Sequence, residues 1–425
     1  MACDDNLDIE PQQAISTEVA LSNNGGVKTA LIGAYELKIS HPRFDGNEVL
    51  NSELLIDADN IFWTGFIAEL TQILNKSIPV NTHTVEGFWI DSYRLINQTN
   101  SIIKALEVVD ENDRNAVEAE ARFLRGIVYF DLVNLFAKTW GDGNPGTNLG
   151  VPIVNTPSEQ SLVNPFIPRN SVEEVYQFVI EDLLFAAENL PDQNGIFATS
   201  YAARAVLSRV YLMQERFALA AAEADQVIES GAFTLLTEPS KIYNASENTS
   251  EDIFSLQYTA QNFLNINSFF YSDFIGITDE HIAKYEAEDI RSTLFYLDPQ
   301  SGTRRTSKWL ANTNDGNVSL IRLAEMYLTR SECRFRNGDI EGAASDLNVI
   351  RVRAGLPELM PSEINLEVIL KERFLELVFE GHQFRDVKRS RQPVGDLSFD
   401  DPRLIYPIPQ REMDVNPALV QNEGY

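Results

Sequence analysis

Two stretches of this chain repeat the same helical hairpin, and that repetition narrows the available folds more than any other feature. In residues 201–231, Ala203, Val206, Leu207, Val210 and Tyr211 fall at i, i+3, i+4, i+7 and i+8, so they share one helical face. Residues 214–217 break the pattern, and a second, alanine-rich helix follows over 218–230, closed by Gly231. Residues 319–355 do the same, with Leu320, Leu323, Ala324, Tyr327, Leu328 and Ser331 as the stripe and Asn337-Gly338-Asp339 as the turn. Aligned from Arg209 to Ile228 and from Arg330 to Ile350, the copies differ by one residue of turn. Ala221, Ala222 and Ala224 match Ala343 and Ala344, and side chains that small let paired helices approach closely. This is the packing logic of a tetratricopeptide (TPR) repeat, whose units bury their apolar faces by stacking on neighbours.

Weaker helical patterns extend the array. Residues 85–108 and 116–138 are long and amphipathic around a polar turn at 110–114, with Phe123, Leu124, Ile127, Val128 and Leu132 in period. Residues 171–189 open with Ser171 three before Glu174, the spacing of a capping box. Near the end, Leu370, Phe374, Leu377 and Val378 again share a face. The expected fold is therefore mainly α, a TPR-like scaffold of about four helix pairs over about 85–138, 171–230, 319–355 and 364–390. Residues 141–168, rich in Gly, Pro, Asn and Thr, read as loop. Residues 233–317 keep no helical period and are expected to be a loop-rich, irregular insertion forming the ligand face.

Lys plus Arg total 34 against 63 Asp plus Glu, a formal charge of -29. Phosphate backbones and anionic lipid repel such a surface, which excludes nucleic acid as a partner and favours neutral or basic ones. The surplus also serves solubility. No stretch reaches the roughly 18–20 apolar residues of a membrane helix, and Met1-Ala2-Cys3-Asp4-Asp5 has neither the basic nor the apolar region of a signal peptide. Cys333, in a helical pattern, reads as a small buried residue. A Cys3–Cys333 disulfide stays open at this level. So does the alternative that Met1-Ala2 is foreign and Cys3 the first mature residue, ahead of a polar tether over 1–24.

Catalytic spacing is missing. His41, His83, His281 and His382 are scattered, without HExxH or paired CxxC, and no P-loop, GxGxxG or GxSxG occurs. Glu372, Glu376 and Glu380 lie one helical turn apart and could pair as acid and base. With Lys371, Arg373, Arg385 and Lys388 nearby, they read better as ion-paired framework. Asp142-Gly143-Asn144-Pro145-Gly146 carries oxygen donors but misses the EF-hand order, so it reads as a plain turn. No cofactor or metal is expected, and the chain reads as a non-enzyme.

Several motifs, in order, resemble the SusD/RagB family. Residues 118–136, EAEARFLRGIVYFDLVNLF, resemble its EARFLRA-type helix, and Gly150-Val151-Pro152-Ile153 its GVPL-type segment. Arg353-Ala354-Gly355-Leu356-Pro357 fits its RAGLP-type close, and residues 373–389, RFLELVFEGHQFRDVKR, its E-L-x-F-E-G-H-R-F block. Tyr406-Pro407-Ile408-Pro409, Asn416-Pro417 and Gln421-Asn422-Glu423-Gly424-Tyr425 are similar to its PIP…NP…QNPGY ending. Gln383 stands where Arg is usual and Glu423 where Pro is usual, departures that fall in framework, as do Asp386 and Arg389. The chain is also short for the family, which implies trimmed loops. The resemblance implies a non-catalytic lipoprotein of the Gram-negative outer membrane, anchored at the cell surface through Cys3, with residues 25–425 as one body. It implies capture of oligosaccharide nutrients for a SusC-like TonB-dependent transporter, or of peptides, as in RagB-like members. A TPR protein-interaction scaffold is the remaining alternative.

A pyranose offers an apolar face to aromatic rings and hydroxyls to amides and carboxylates. On that chemistry Asp59, Asn60 and Trp63 form the first candidate group, in the region where SusD-like proteins carry a ligand-facing aromatic. Residues 262–274 form the second, with Phe269, Phe270 and Tyr271 interleaved with Asn265, Asn267 and Asp273. Tyr296 and Trp309 are the third. Trp89, at helical spacing with Tyr93, reads as core.

Overall fold

A computed structural model of the chain describes residues 17–40, 47–56, 59–158, 166–258, 265–310 and 316–425. Cys3 and His41 lie outside the described residues, as do 262–264 of the second candidate stretch. The helices used below are α1 (Asn24–Ser40), α2 (Asn47–Ile56), α3 (Ala68–Leu74), α4 (His83–Lys104), α5 (Glu111–Phe136), α6 (Val172–Asn189), α7 (Ser200–Met213), α8 (Phe217–Glu229), α9 (Ile266–Asp273), α10 (Leu323–Arg336), α11 (Ile340–Arg353), α12 (Leu366–Leu377) and α13 (Gln383–Ser390). Successive helices from α4 to α8 pack on one another, α8 packs on α10, and α10 on α11 and α12. The fold is mainly helical and TPR-like, as the two hairpins predict.

The repeats agree atom for atom at their closest approach. Ser208 Oγ donates to the Ala220 carbonyl at 2.8 Å, and Ser331 Oγ to the Ala343 carbonyl at the same distance. The turns 214–216 and 337–339 are equally long, so the one-residue difference expected from the Arg209/Arg330 alignment is corrected. Ser208 and Ser331 are the equivalent residues, because a small hydroxyl can sit where two helix backbones meet and an arginine cannot. Cys333 is a free, buried thiol, pushed up to about 12 by burial.

Helix α5 is the axis of the core, and over 123–136 every side chain is buried. A helix buried on all sides must satisfy its polar residues internally. Arg125 accordingly makes two 2.8 Å bonds to Asp182 of α6 and one of 2.7 Å to Asn100 of α4, tying three helices together. The end of the chain caps the same helix: the Asn422 amide and Arg169 donate to the Phe136 carbonyl, and Tyr425 OH to Ile405 O. Ser171 and Glu174 make the expected capping box on α6.

The described residues of 233–317 are largely irregular, yet short antiparallel strands tie them down. β2 (Asp252–Leu256) pairs with β6 (Val318–Arg322) and closes the base of the stretch. β4 (Phe295–Leu297) pairs with β5 (Arg304–Thr306). β3 (Ile275–Ile277) pairs with β1 (Ile61–Trp63), a strand from the other end of the chain.

Under this region lies a buried ionic network. The Glu372/Glu376/Glu380 row is at most 3% exposed at its first two positions, and all three carboxylates are held by cations. Their partners are not the neighbours expected from sequence. Arg322 reaches Glu376 at 2.7 Å and Glu380 and Glu251 at 2.8 Å. Arg291 and Arg351 hold Glu372, at 2.7 and 3.1 Å. Arg353 pairs with Glu376 and Glu251, and Lys308 with Glu380 at 2.7 Å. Burial opposes ionisation, but Arg353 and Arg322 still hold Glu376 well below the carboxylate range, and Arg322 with Lys308 holds Glu380 at about 2. Glu376 and Glu380, so firmly ionised, have no proton to give near neutral pH, and the Glu372 carboxylate is taken up by Arg291 and Arg351, so the row reads as framework. In the following block, Gly381 takes φ 78°, and its N–H donates to Glu53 at 2.9 Å, docking α2 against the network. Arg373 grips Asp386 with its Nε at 2.8 Å, which confirms that aspartate as framework.

Candidate functional site

The pairing of β1 with β3 brings the first two sequence candidates together. Trp63 lies opposite Ile275, and its ring stands 5.7 Å from Phe270 and 5.8 Å from Phe274. Trp63 is half-buried, and its indole N–H donates to Thr71 Oγ1 of α3 at 3.1 Å. It therefore anchors the surface as well as lining it. Phe66, just beyond it, is 83% exposed and meets Phe274 edge-on at 5.6 Å. Phe62 is exposed on the outward face of β1, opposite Gly276.

Among the described residues four large aromatic side chains are exposed, Phe62, Phe66, Phe166 and Tyr296, and three of them belong to this one region. Tyr296 is reached through Arg305. The two are opposed in the β4–β5 register, and the Arg305 guanidinium donates to the carbonyls of Ile275 at 2.6 Å and Asp273 at 2.9 Å. Burial and then the Asp298 carboxylate push the Tyr296 phenol up, with Asp273 acting in the same direction. An exposed phenylalanine alone needs no explanation, but Phe66 and Trp63 share Phe274 and so form a fixed apolar patch.

Six of the predicted ligand residues, Asn267 among them, are corrected by their burial. Tyr271 is fully buried against Trp309 and Phe379, and Phe270 is 5% exposed beneath Trp63. Asn265 caps α9, accepting from the Asn267 and Ser268 amides, so its carboxamide is spent on the helix. Asn60 is buried with His281 Nδ1 at 3.1 Å and the Lys284 ammonium on the same oxygen. The Thr278 N–H donates to its carbonyl at 3.0 Å, so Asn60 latches the start of β1 rather than meeting solvent. Trp309 is buried too, donating to Phe379 O at 3.0 Å. Asp59 and Tyr296 are exposed and Trp63 partly so. Phe66 was missed, although it follows a glycine in an unpatterned stretch between a strand and a helix.

Phe62 owes its position to a glycine. A Cβ at residue 276 would stand 2.0 Å from the Phe62 ring, so the ring lies flat where only a hydrogen fits. Gly276→Ala should lift that ring and change the near-ultraviolet circular dichroism. The unfolding temperature should hold within about 2 °C, since the ring can swing outwards. An unchanged aromatic signal would contradict this placement of Phe62.

A groove of about 870 Å³ adjoins the platform at Asp59 and Asn60 and runs along α12 and α13. Leu370, Phe374 and Val387 give it apolar walls, with Lys284, Glu367 and Lys371 at its sides. No cluster of metal-binding side chains and no helix long and apolar enough to cross a membrane occurs among the described residues.

Comparison with known proteins gives consistent matches. Residues 5–212 match a family model described as starch-binding associating with outer membrane, and residues 295–398 match the SusD family model. A SusD-like protein of Formosa agariphila is 26% identical, across 100% of this chain and 97% of that one. The starch-binding protein SusD of Bacteroides thetaiotaomicron is 32% identical over 124 residues, 26% of this chain and 22% of its own length. The crystal structure of a SusD superfamily protein from B. thetaiotaomicron has the same fold, with a TM-score of 0.86 at 24% identity, covering 94% of this chain and 99% of that one.

Proposed function

We propose that this chain, which belongs to the SusD family, captures oligosaccharides at the outer-membrane surface without turning them over. The observation that carries this reading is the aromatic platform around β1: Trp63 and the exposed Phe66 share Phe274, Phe62 is exposed on the other face of the strand, and Tyr296 is exposed on the β4–β5 ladder tied to β3 through Arg305. Rings presented in this way match the apolar faces of pyranoses, while Asp59 and Asp273 stand near to accept from hydroxyls. Stacking on an open surface binds weakly and releases readily, which suits delivery onward. The recipient in this reading is a SusC-like TonB-dependent transporter, with the protein held to the membrane by an acyl chain on Cys3. Support for both comes from the family's association with the outer membrane and from the matched motifs.

Calorimetric screening against soluble glycans tests the reading. Phe66→Ala should weaken the best ligand roughly tenfold, about 1.4 kcal/mol, with unfolding unchanged, because an exposed ring contributes little to the fold. Full binding by both Phe66→Ala and Tyr296→Ala would remove this surface as the site. Turnover of any glycan by the purified protein would end the non-catalytic reading. A peptide is the second reading, favoured by the mixed-charge groove along α12 and α13. Competition of peptide with glycan would distinguish a shared site from two separate ones.

A further inference from the structure

We infer that the platform selects electrically neutral glycans and rejects those carrying carboxylate or sulfate groups, an inference that rests on the platform being the glycan site. Five acidic residues lie on or next to the segments that carry the rings, one of them, Asp279, paired with Arg304. Asp59 and Asp279 lie beyond one end of the β1–β3 ladder, where Thr278 Oγ1 donates to Asp59 O at 2.8 Å. Asp273 adjoins Phe274 at the other end and leaves its carboxylate exposed. Glu280 follows Asp279 into solvent, and Asp298 follows the exposed Tyr296 and Leu297. The Ser301 hydroxyl and the Gln300 and Ser301 amides all donate to Asp298, which keeps it ionised.

Three cations on or beside the two ladders are already engaged, while Lys371 lies on α12 in the adjoining groove. Arg305 is 4% exposed and donates to the Ile275 and Asp273 carbonyls. Arg304 pairs with Asp279 at 3.2 Å. Lys284 donates to Asn60 and lies 5.0 Å over the Phe374 ring. An anionic polymer laid over Tyr296 would meet the field of Asp298 and Asp273, both of which act on that phenol, and such repulsion reaches over the Debye length of about 8–10 Å. A neutral glycan pays no such penalty, and the same carboxylates accept from its hydroxyls. Recognition of an acidic sugar would instead need a guanidinium fork facing outward.

Matched polymers sharing a backbone isolate the charge: dextran with dextran sulfate, hydroxyethyl with carboxymethyl cellulose, and methyl-esterified with de-esterified homogalacturonan. Binding of each is measured at 20 and 300 mM NaCl to the wild-type chain and to the combined Asp273→Asn/Asp279→Asn/Asp298→Asn variant. For any pair that binds, the neutral member should be at least tenfold tighter at low salt. Raising salt, or making the triple substitution, should narrow that ratio. An anionic member bound as tightly as its neutral partner at low salt would overturn the inference, as would a ratio unmoved by salt. If a neutral glycan binds but Phe66→Ala does not weaken it, the platform reading fails first and the charge argument loses its site. If no polymer of either charge binds, both fall together.

Discussion

Replacing Arg322 by Met is expected to lower the unfolding free energy by about 3–5 kcal/mol, the cost of leaving buried charge without its partner. Its guanidinium is 1% exposed and contacts Glu251, Glu376 and Glu380 at once, with a further bond to the Glu376 carbonyl at 2.9 Å. Methionine fills the space and satisfies none of those acceptors. Arg353 stays on Glu251 and Glu376 and Lys308 on Glu380, but with Arg291 shared between Asp289, Glu372 and Glu376 these cations no longer balance the three carboxylates. For a two-state chain of this length the loss corresponds to a fall of roughly 3–5 °C in unfolding temperature. Denaturant unfolding measures it directly, with the exposed Lys241–Glu238 pair as a control that should show little effect when broken. Equal small shifts for both substitutions would mean that the network carries little of the fold's stability. Acid acts on the same groups. Glu380 is held at about 2 against an unfolded value near 4.3, so its contribution is complete above pH ~4.3 and disappears as pH falls towards 2.

Lowering the pH from 7 to 4 should cost about 3 kcal/mol through His281 alone, at about 1.4 kcal/mol for each pH unit. Burial holds this imidazole at about 3, with Lys284 and Lys308 acting in the same direction. The unfolded chain takes up a proton below pH ~6.5 and the native one does not until about 3, so stability falls throughout that window. His382, also buried and held well below its usual value, adds to the slope. Unfolding measured at pH 7, 5.5 and 4 should show a shallower pH dependence for His281→Gln than for wild type. Parallel profiles would show that His281 titrates normally. The consequence reaches the ligand face, because His281 Nδ1 is bonded to Asn60 at the head of β1. Charging it sets a second cation beside Lys284, which donates to the same Asn60 oxygen.

The two repeats were legible because each hairpin is decided by residues within a few turns of one another. Periodicity and the Ser171–Glu174 box are local features that tertiary packing only had to accept. Asn265 could have been read locally as well, since an asparagine ahead of Ile266-Asn267-Ser268 is a helix-cap signature that outweighed its use as a ligand amide. Glu376 and Glu380 could be recognised as framework, but not by their partners. Arg322 and Arg291 come from other elements, and an i, i+4 reading sees only charges on the same helix.

What the amino-acid sequence determined by itself was the helical frame, the order of the family motifs and the region that carries the candidate aromatics. The tertiary structure decided which aromatics in that region face solvent. Trp63, Phe270, Tyr271 and Phe66 are all large aromatics in unpatterned stretches, and nothing local ranks them. Their exposure follows from the pairing of β1 with β3, more than 200 residues apart, which buries Phe270 under Trp63 and leaves Phe66 at 83% exposure. Helical stripes depend on contacts across one turn, whereas the burial of a ring in a loop depends on whatever distant segment closes over it.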